Sequence, residues 1–139
     1  MDLEASIAAV KEALLADERV GAALLFGSAA RGVARPTSDL DVALLARSAQ
    51  AADSLDADYL ELLGQLVRVA ERDVHLVLLE RADPVLARQA FAGARVLFDR
   101  DPSRTAKALE RVLLQYFDGE YHRRMRAEAL DRSWRTRHG

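Results

Sequence analysis

The chain has 139 residues, of which 50% are hydrophobic and 30% are charged, as in a single globular domain rather than a disordered chain. The absence of cysteine excludes disulfides and zinc–thiolate sites, and 22 acidic against 20 basic residues give a net charge of −2, so no direct nucleic-acid contact is expected. No apolar run reaches the roughly 18 residues of a membrane span, and the acidic start Met1–Glu4 is unlike a signal peptide, so we expect a cytoplasmic location and no membrane contact.

Helix and strand patterns alternate along the chain. Apolar positions at helical spacing predict an amphipathic helix over 3–16, and the apolar run 20–26 predicts a buried strand. The further predicted elements are a helical turn and loop over 29–37, a strand over 39–45, a loop over 48–58, a helix over 59–70, a strand over 73–79, a helix from Pro84 to about 92, a strand over 95–98 and a long helix over about 101–130. Gly119 is expected to kink or interrupt this last helix, and residues 132–139 are expected to be frayed.

Strands that alternate with helices predict an α/β (α+β) fold, in which a small sheet of three or four strands is covered by helices. There is no internal repeat, linker or low-complexity tract, so residues 1–139 are expected to form one domain. Its charge is uneven, because residues 1–100 contain 16 acids and 11 bases whereas residues 101–139 contain 6 acids and 9 bases.

The segment 27–42, GSAARGVARPTSDLDV, carries the chemistry. Gly27-Ser28 lies where a buried strand meets a helical turn, and glycine allows a ligand to approach the backbone closely. Free N–H groups at the start of the turn and the serine hydroxyl are suited to an anion such as phosphate. The alternative is a purely structural role, a simple turn with a serine N-cap, and both interpretations can hold at once.

Asp39 and Asp41 are two residues apart on a predicted strand, so both carboxylates point to one face of the sheet. A divalent cation such as Mg²⁺ would remove their repulsion, since it favours carboxylate and phosphate oxygens. Asp73 opens the next predicted strand, and a third carboxylate nearby would allow two metal ions to bind. The alternatives are a solvated aspartate pair on a sheet edge and an Asp73 that merely ends a turn.

This segment resembles the motif of the nucleotidyltransferase superfamily that includes DNA polymerase β, whose form G-S-x-x-R-G-x-x-x-x-x-S-D-hydrophobic-D-hydrophobic is met from Gly27 to Val42. The short chain is similar to the minimal nucleotidyltransferases, including the MntA-type antitoxins encoded beside HEPN-domain toxins. The resemblance covers most of the chain, with residues 3–98 supplying the expected catalytic core, and it implies the nucleotidyltransferase fold with a small mixed sheet.

By position, the resemblance implies that Gly27 and Ser28 hold the triphosphate of a nucleotide. Arg31 either helps to neutralise the phosphates or structures the loop. The resemblance also implies that three aspartates bind two Mg²⁺ ions, with the third aspartate helping to deprotonate the acceptor; these residues are Asp39, Asp41 and Asp73. The reaction would move AMP from ATP onto an acceptor hydroxyl and release pyrophosphate.

Other residues near the motif allow two interpretations each. His75 shares the strand face of Asp73, either as a partly buried histidine beside the acidic cluster or as an acid–base helper or metal ligand. Ser38 is expected to orient the loop before Asp39. Arg35 and Arg47 either contact phosphate or acceptor, or are solvated.

The resemblance implies a protein adenylyltransferase that neutralises a HEPN-family toxin, its partner in a hetero-oligomer. A small-molecule transferase resembling the aminoglycoside nucleotidyltransferases is an alternative, although residues 99–139 supply little more than one helix for an acceptor site. A non-catalytic antitoxin that acts by occlusion is another. The basic stretch His122–Arg126 is interpreted as a solvated helix face or as a docking surface for an acidic partner or RNA.

Overall fold

A computed structural model describes residues 1–32 and 38–138, except for the side chains of residues 121, 133 and 135–138. Its elements in chain order are α1 (Leu3–Leu15), β1 (Val20–Phe26), α2 (Gly27–Ala30), β2 (Leu40–Ala46), α3 (Ala49–Ala57), α4 (Tyr59–Ala70), β3 (Val74–Leu78), α5 (Pro84–Phe91), β4 (Arg95–Asp99) and α6 (Pro102–His138). No helix in this described part of the chain combines the length and apolar character needed to cross a membrane.

The four strands form one mixed sheet in the order β3-β2-β1-β4. Strand β1 pairs antiparallel with both β2 and β4, whereas β2 and β3 run parallel. The predicted α/β fold with a four-stranded mixed sheet and a long C-terminal helix is therefore confirmed. The antiparallel pairing sets the end of β1 beside the start of β2, so the two halves of the motif meet at one edge of the sheet.

Helices cover both faces of the sheet, and side chains of the central strands alternate between two cores. One core joins one set of strand residues to the apolar stripes of α1, α3 and α4. The other joins the alternate strand residues to α5 and the first half of α6, with Ala87, Ala90 and Val112 buried against the sheet. All seven residues of β1 are buried because both of its faces are covered. Asp41 is in phase with Ala43 and Leu45 of this second set, so its side chain lies on the face covered by α5 and α6.

Two sequence-based expectations are wrong. The polar stretch 48–58, expected as a loop, contains α3, which begins after the cap that the Ser48 hydroxyl provides to the N–H of Ala51. This helix buries only Ala52 and Leu55, so its apolar pattern is too sparse to stand out in the sequence. The final helix is also longer than expected, because α6 continues through Gly119 and through the tail that was expected to be frayed.

Arg72 joins the start of the chain to the segment that leads into β2. Its Nε donates to the Ser6 hydroxyl at 3.0 Å, and its Nη1 donates to the Ser38 carbonyl at 3.2 Å. Ser6 is fully buried and donates in turn to the carbonyl of Ala70 at 2.6 Å. The backbone of the residue immediately before Asp39 is thus anchored to the core by a guanidinium, and the expectation that Ser38 caps or orients this loop stays a prediction.

Arg19 joins the loop before β1 to the start of α4. Its Nη2 lies 2.7 Å from Oδ2 of Asp17, and its Nη1 lies 3.1 Å from Oδ2 of Asp58. The side-chain hydrogen bond from Arg19 is the main reason that the pKa of Asp17 lies below its ordinary value of 3.8.

Candidate active site

The turn at the end of β1 requires a glycine for two reasons. Gly27 has a φ of +68°, a left-handed conformation that side chains disfavour. A Cβ built on Gly27 would lie 2.2 Å from Oδ2 of Asp41, so the carboxylate occupies the space that glycine leaves open. The motif's glycine and its second aspartate are therefore in direct apposition across β1 and β2.

Ser28 follows in the single turn of α2 and is partly exposed. The cap position of this turn is Phe26, which makes no side-chain cap hydrogen bond, so Ser28 is not the N-cap of the alternative interpretation. Arg31 ends the turn and is exposed. Both side chains therefore remain accessible to a ligand at this edge of the sheet.

The two aspartates flank Leu40, which is fully buried on the opposite face. Asp39 is exposed just before β2, and Asp41 is partly exposed within it, level with Phe26 of β1. The alternation predicted from the sequence places both carboxylates on one face, and the burial of Leu40 agrees with it. Residues 33–37, which connect the turn of α2 to Ser38, lie outside the described residues, and Arg35 is one of them.

Strand β3 contributes two polar residues to the same edge. In the parallel register Leu40 is level with Val74 and Asp41 with His75, so Asp73 comes level with Asp39. The carbonyl of Asp73 accepts a hydrogen bond from the N–H of Leu40 at 3.0 Å, and its side chain is exposed.

His75 is the residue of β3 that contacts Asp41 directly, with Nδ1 3.1 Å from Oδ1. Its ring also packs edge-on against Phe26, with centroids 6.0 Å apart, although 53% of the side chain is exposed. The contact places His75 beside the acidic pair, as both interpretations of this residue require, and the choice between them stays a prediction.

A cavity of about 390 Å³ opens between the β1–α2 turn, Asp41 and the last turn of α5. Its lining consists of Phe26, Gly27, Arg31, Asp41, Arg88, Gln89, Ala92 and Gly93. Of the predicted site residues, Gly27, Arg31 and Asp41 line the cavity, whereas its lining does not include Ser28, Asp39 or Asp73.

Arg88 is a cavity residue that sequence reasoning missed. It is one exposed arginine on a short amphipathic helix, and no motif singles it out. Arg47, in contrast, was considered for phosphate or acceptor contact, but it follows the far end of β2 from Asp41 and its N–H bonds to the carbonyl of Arg19.

A second cavity of about 340 Å³ lies between α3, the end of β3, α5 and α6. It contains none of the motif residues, so it is separate from the chemistry considered for segment 27–42.

Among the described side chains, no three acidic or histidine residues converge closely enough to enclose a metal ion. This arrangement is compatible with Mg²⁺, which is commonly held by one or two carboxylates together with the phosphates of a substrate. The donor set also suits that ion, because Asp39 and Asp41 offer hard carboxylate oxygens on one face of β2.

A family model described as polymerase beta, nucleotidyltransferase, matches residues 9–103. This match spans more than half of the chain and includes the whole segment 27–42, so the chain belongs to the polymerase β-type nucleotidyltransferase family. It is, by family, a nucleotidyltransferase. No curated protein sequence matches it significantly.

Solved structures of toxin–antitoxin complexes contain chains with the same fold. A chain of a toxin–antitoxin crystal structure with AMP-PNP is 24% identical, with a TM-score of 0.68 over 87% of this chain and 95% of that chain. A chain of an MntA–HepT complex is 20% identical, with a TM-score of 0.66 over 91% and 97%. A chain of the complex between a tri-AMPylated HEPN toxin and an MNT antitoxin from Shewanella oneidensis is 19% identical, with a TM-score of 0.63 over 89% and 98%. These similarities establish the shared fold.

Proposed function

We propose that this chain transfers AMP from ATP to a hydroxyl of a HEPN-family toxin and thereby acts as an antitoxin. The observation that carries the proposal is the apposition of Gly27 and Asp41 at the mouth of a cavity that also contains Arg31. This cavity combines a close backbone approach, a carboxylate and a cation, which are the groups that a metal-bound triphosphate needs. The proposed place of action is the cytoplasm.

In this proposal Asp39 and Asp41 hold two Mg²⁺ ions and Asp73 supplies the third carboxylate. Support comes from the shared face of the two β2 carboxylates and from the position of Asp73, level with Asp39 on the neighbouring strand. When bound, Mg²⁺ neutralises triphosphate charge and makes the α-phosphorus more electrophilic. His75 holds the carboxylate of Asp41 in place through the hydrogen bond from β3.

The chain's own residues bind and orient the reactants. Backbone N–H groups at Gly27, the hydroxyl of Ser28 and the guanidinium of Arg31 donate to the phosphates. The acceptor oxygen forms a bond to the α-phosphorus while the bond from that phosphorus to the pyrophosphate oxygen breaks, and the acceptor proton passes to the carboxylate of Asp73. Alignment and charge neutralisation supply most of the rate enhancement.

The assignment of a toxin as acceptor is supported by the similar chains, which come from toxin–antitoxin complexes, one with a HepT toxin and one with a tri-AMPylated HEPN toxin. The fold itself also leaves room for a partner. The part of α6 after Val112 extends beyond the two cores, and it exposes apolar side chains such as Phe117 (57%) and Leu130 (71%). The basic stretch His122–Arg126 lies on this same part of α6, where Arg123, Arg124 and Arg126 are exposed.

The test is label transfer from α-³²P-labelled ATP and Mg²⁺ to the purified HEPN-domain protein of the same genome. We expect a labelled partner with the wild-type chain and a loss of at least about 100-fold with Asp41→Asn, which removes the charge but keeps the shape. Glu12→Gln is the matched control, because Glu12 is an exposed carboxylate on α1. An unlabelled partner, or equal labelling by the Asp41 variant, would contradict the proposal.

The same experiment separates the two alternatives. An antitoxin that acts by occlusion would leave the partner unlabelled yet inhibit it equally well with Asp41→Asn. A small-molecule transferase would instead transfer label to an aminoglycoside offered in place of the protein.

A further inference from the structure

The last turn of α5 brings a second arginine to the cavity that contains Gly27 and Arg31. Helix α5 packs on the sheet through Ala87 and Ala90, which are 1% and 0% exposed. Because these side chains are small, the helix approaches the sheet closely, and the next positions along it, Arg88 and Gln89, become part of the cavity wall.

The guanidinium of Arg88 is held by an aromatic ring. Its Cζ lies 4.5 Å from the centroid of Tyr116, which is half-buried on α6. Tyr116 in turn packs edge-on against Phe117 with centroids 5.6 Å apart. A cation over an aromatic face loses conformational freedom but keeps its full charge and its N–H donors.

The charges around the cavity favour an anionic ligand. Arg31 and Arg88 stand on different walls, and Asp41 is the one carboxylate of the described lining. None of the described ion pairs includes either arginine. Planar guanidinium groups match phosphate oxygens in pairs, and a volume of about 390 Å³ lies within the range of small-molecule sites.

We propose that Arg88 is a second phosphate-binding arginine of the nucleotide cavity and that Tyr116 positions it. This inference rests on the proposed function, because it takes the cavity to be the site where ATP binds. The proposal also links α6 to nucleotide binding, because Tyr116 of this helix supports Arg88. The same helix carries the surface proposed for the partner.

The test measures binding of ATP and of adenosine to the full chain by calorimetry, at low and at high salt. Arg88→Ala is expected to weaken ATP binding about 10- to 100-fold, the loss of one or two charge-assisted hydrogen bonds, and to leave adenosine binding unchanged. Arg88→Lys should recover part of the loss, because the charge stays while the planar fork is lost. The difference between wild type and Arg88→Ala should shrink at high salt, since exposed charges are screened.

Tyr116 and a distant arginine supply the controls. Tyr116→Phe keeps the ring and should bind ATP as the wild type does, whereas Tyr116→Leu should bind it roughly threefold more weakly. Arg68→Ala removes an exposed arginine on α4, across the sheet, and should have no effect. Equal ATP affinity of wild type and Arg88→Ala would overturn this inference alone. A wild-type chain that binds no ATP would overturn the proposed function and this inference together.

Discussion

Gly27→Ala tests the apposition on which the candidate site depends. At a φ of +68°, alanine costs about 1–2 kcal/mol relative to glycine. Its Cβ would also lie 2.2 Å from Oδ2 of Asp41, so the carboxylate must rotate away. That rotation gives up the 3.1 Å hydrogen bond to His75, a further ~1 kcal/mol. The sum is about 2–3 kcal/mol, or a fall in Tm of about 6–12 °C for a domain of this size.

Gly93→Ala is the matched control, because Gly93 has the same φ of +68° but no atom within 4 Å of an added Cβ. It should therefore show the backbone cost alone, and the difference between the two variants should be about 1 kcal/mol. Thermal unfolding followed by circular dichroism measures both. In an Asp41→Ala background the extra cost of Gly27→Ala should disappear. Equal losses for the two glycine variants in the wild-type background would refute the reasoning.

Two further predictions concern β3 and the loop before β1. Asp73→Ala should reduce label transfer about 100-fold or more while ATP binding is retained, because a proton acceptor is lost. His75→Phe should keep the packing on Phe26 and reduce transfer only about tenfold. A larger loss of transfer with His75→Phe than with Asp73→Ala would assign the acceptor proton to His75. Arg19→Gln should lower the free energy of unfolding by about 1 kcal/mol at neutral pH. The reason is that the lowered pKa of Asp17 stabilises the fold at pH values above the ordinary pKa of 3.8, and this contribution is lost as the pH falls through the lowered pKa. Urea unfolding of wild type and variant at neutral pH and at about pH 2 measures this contribution. The same difference in unfolding free energy between the two proteins at both pH values would contradict it.

Most elements of the fold were predictable because their signals are local. The apolar run of β1 and the proline at the first turn of α5 both match the structure. The failures have physical causes as well. Helix α3 buries two residues and is otherwise polar, so its composition resembles a loop. The described side chains toward the end of α6, such as Asp131 and Arg132, are exposed, so no buried apolar stripe marks this part of the helix in the sequence.

The candidate site divides in the same way. The motif predicted that Gly27, Arg31 and Asp41 belong together, and these three line one cavity. The sequence could not decide whether Asp73 or His75 takes part in catalysis, because the position of each beside Asp41 depends on the register of β3. The roles of these residues remain predictions for the experiments above.

The sequence by itself determined the family, the alternation of helices and strands, and the spacing that predicts a pair of carboxylates, Asp39 and Asp41, at the start of β2. These follow from turn chemistry and periodicity, which act between residues close in the chain. Only the tertiary structure decided that His75, 34 residues from Asp41, contacts it, and that Arg88 stands over Tyr116 at the cavity. Strand register and helix packing are set by the joint burial of side chains that lie far apart in the chain, so they do not follow from any local sequence pattern.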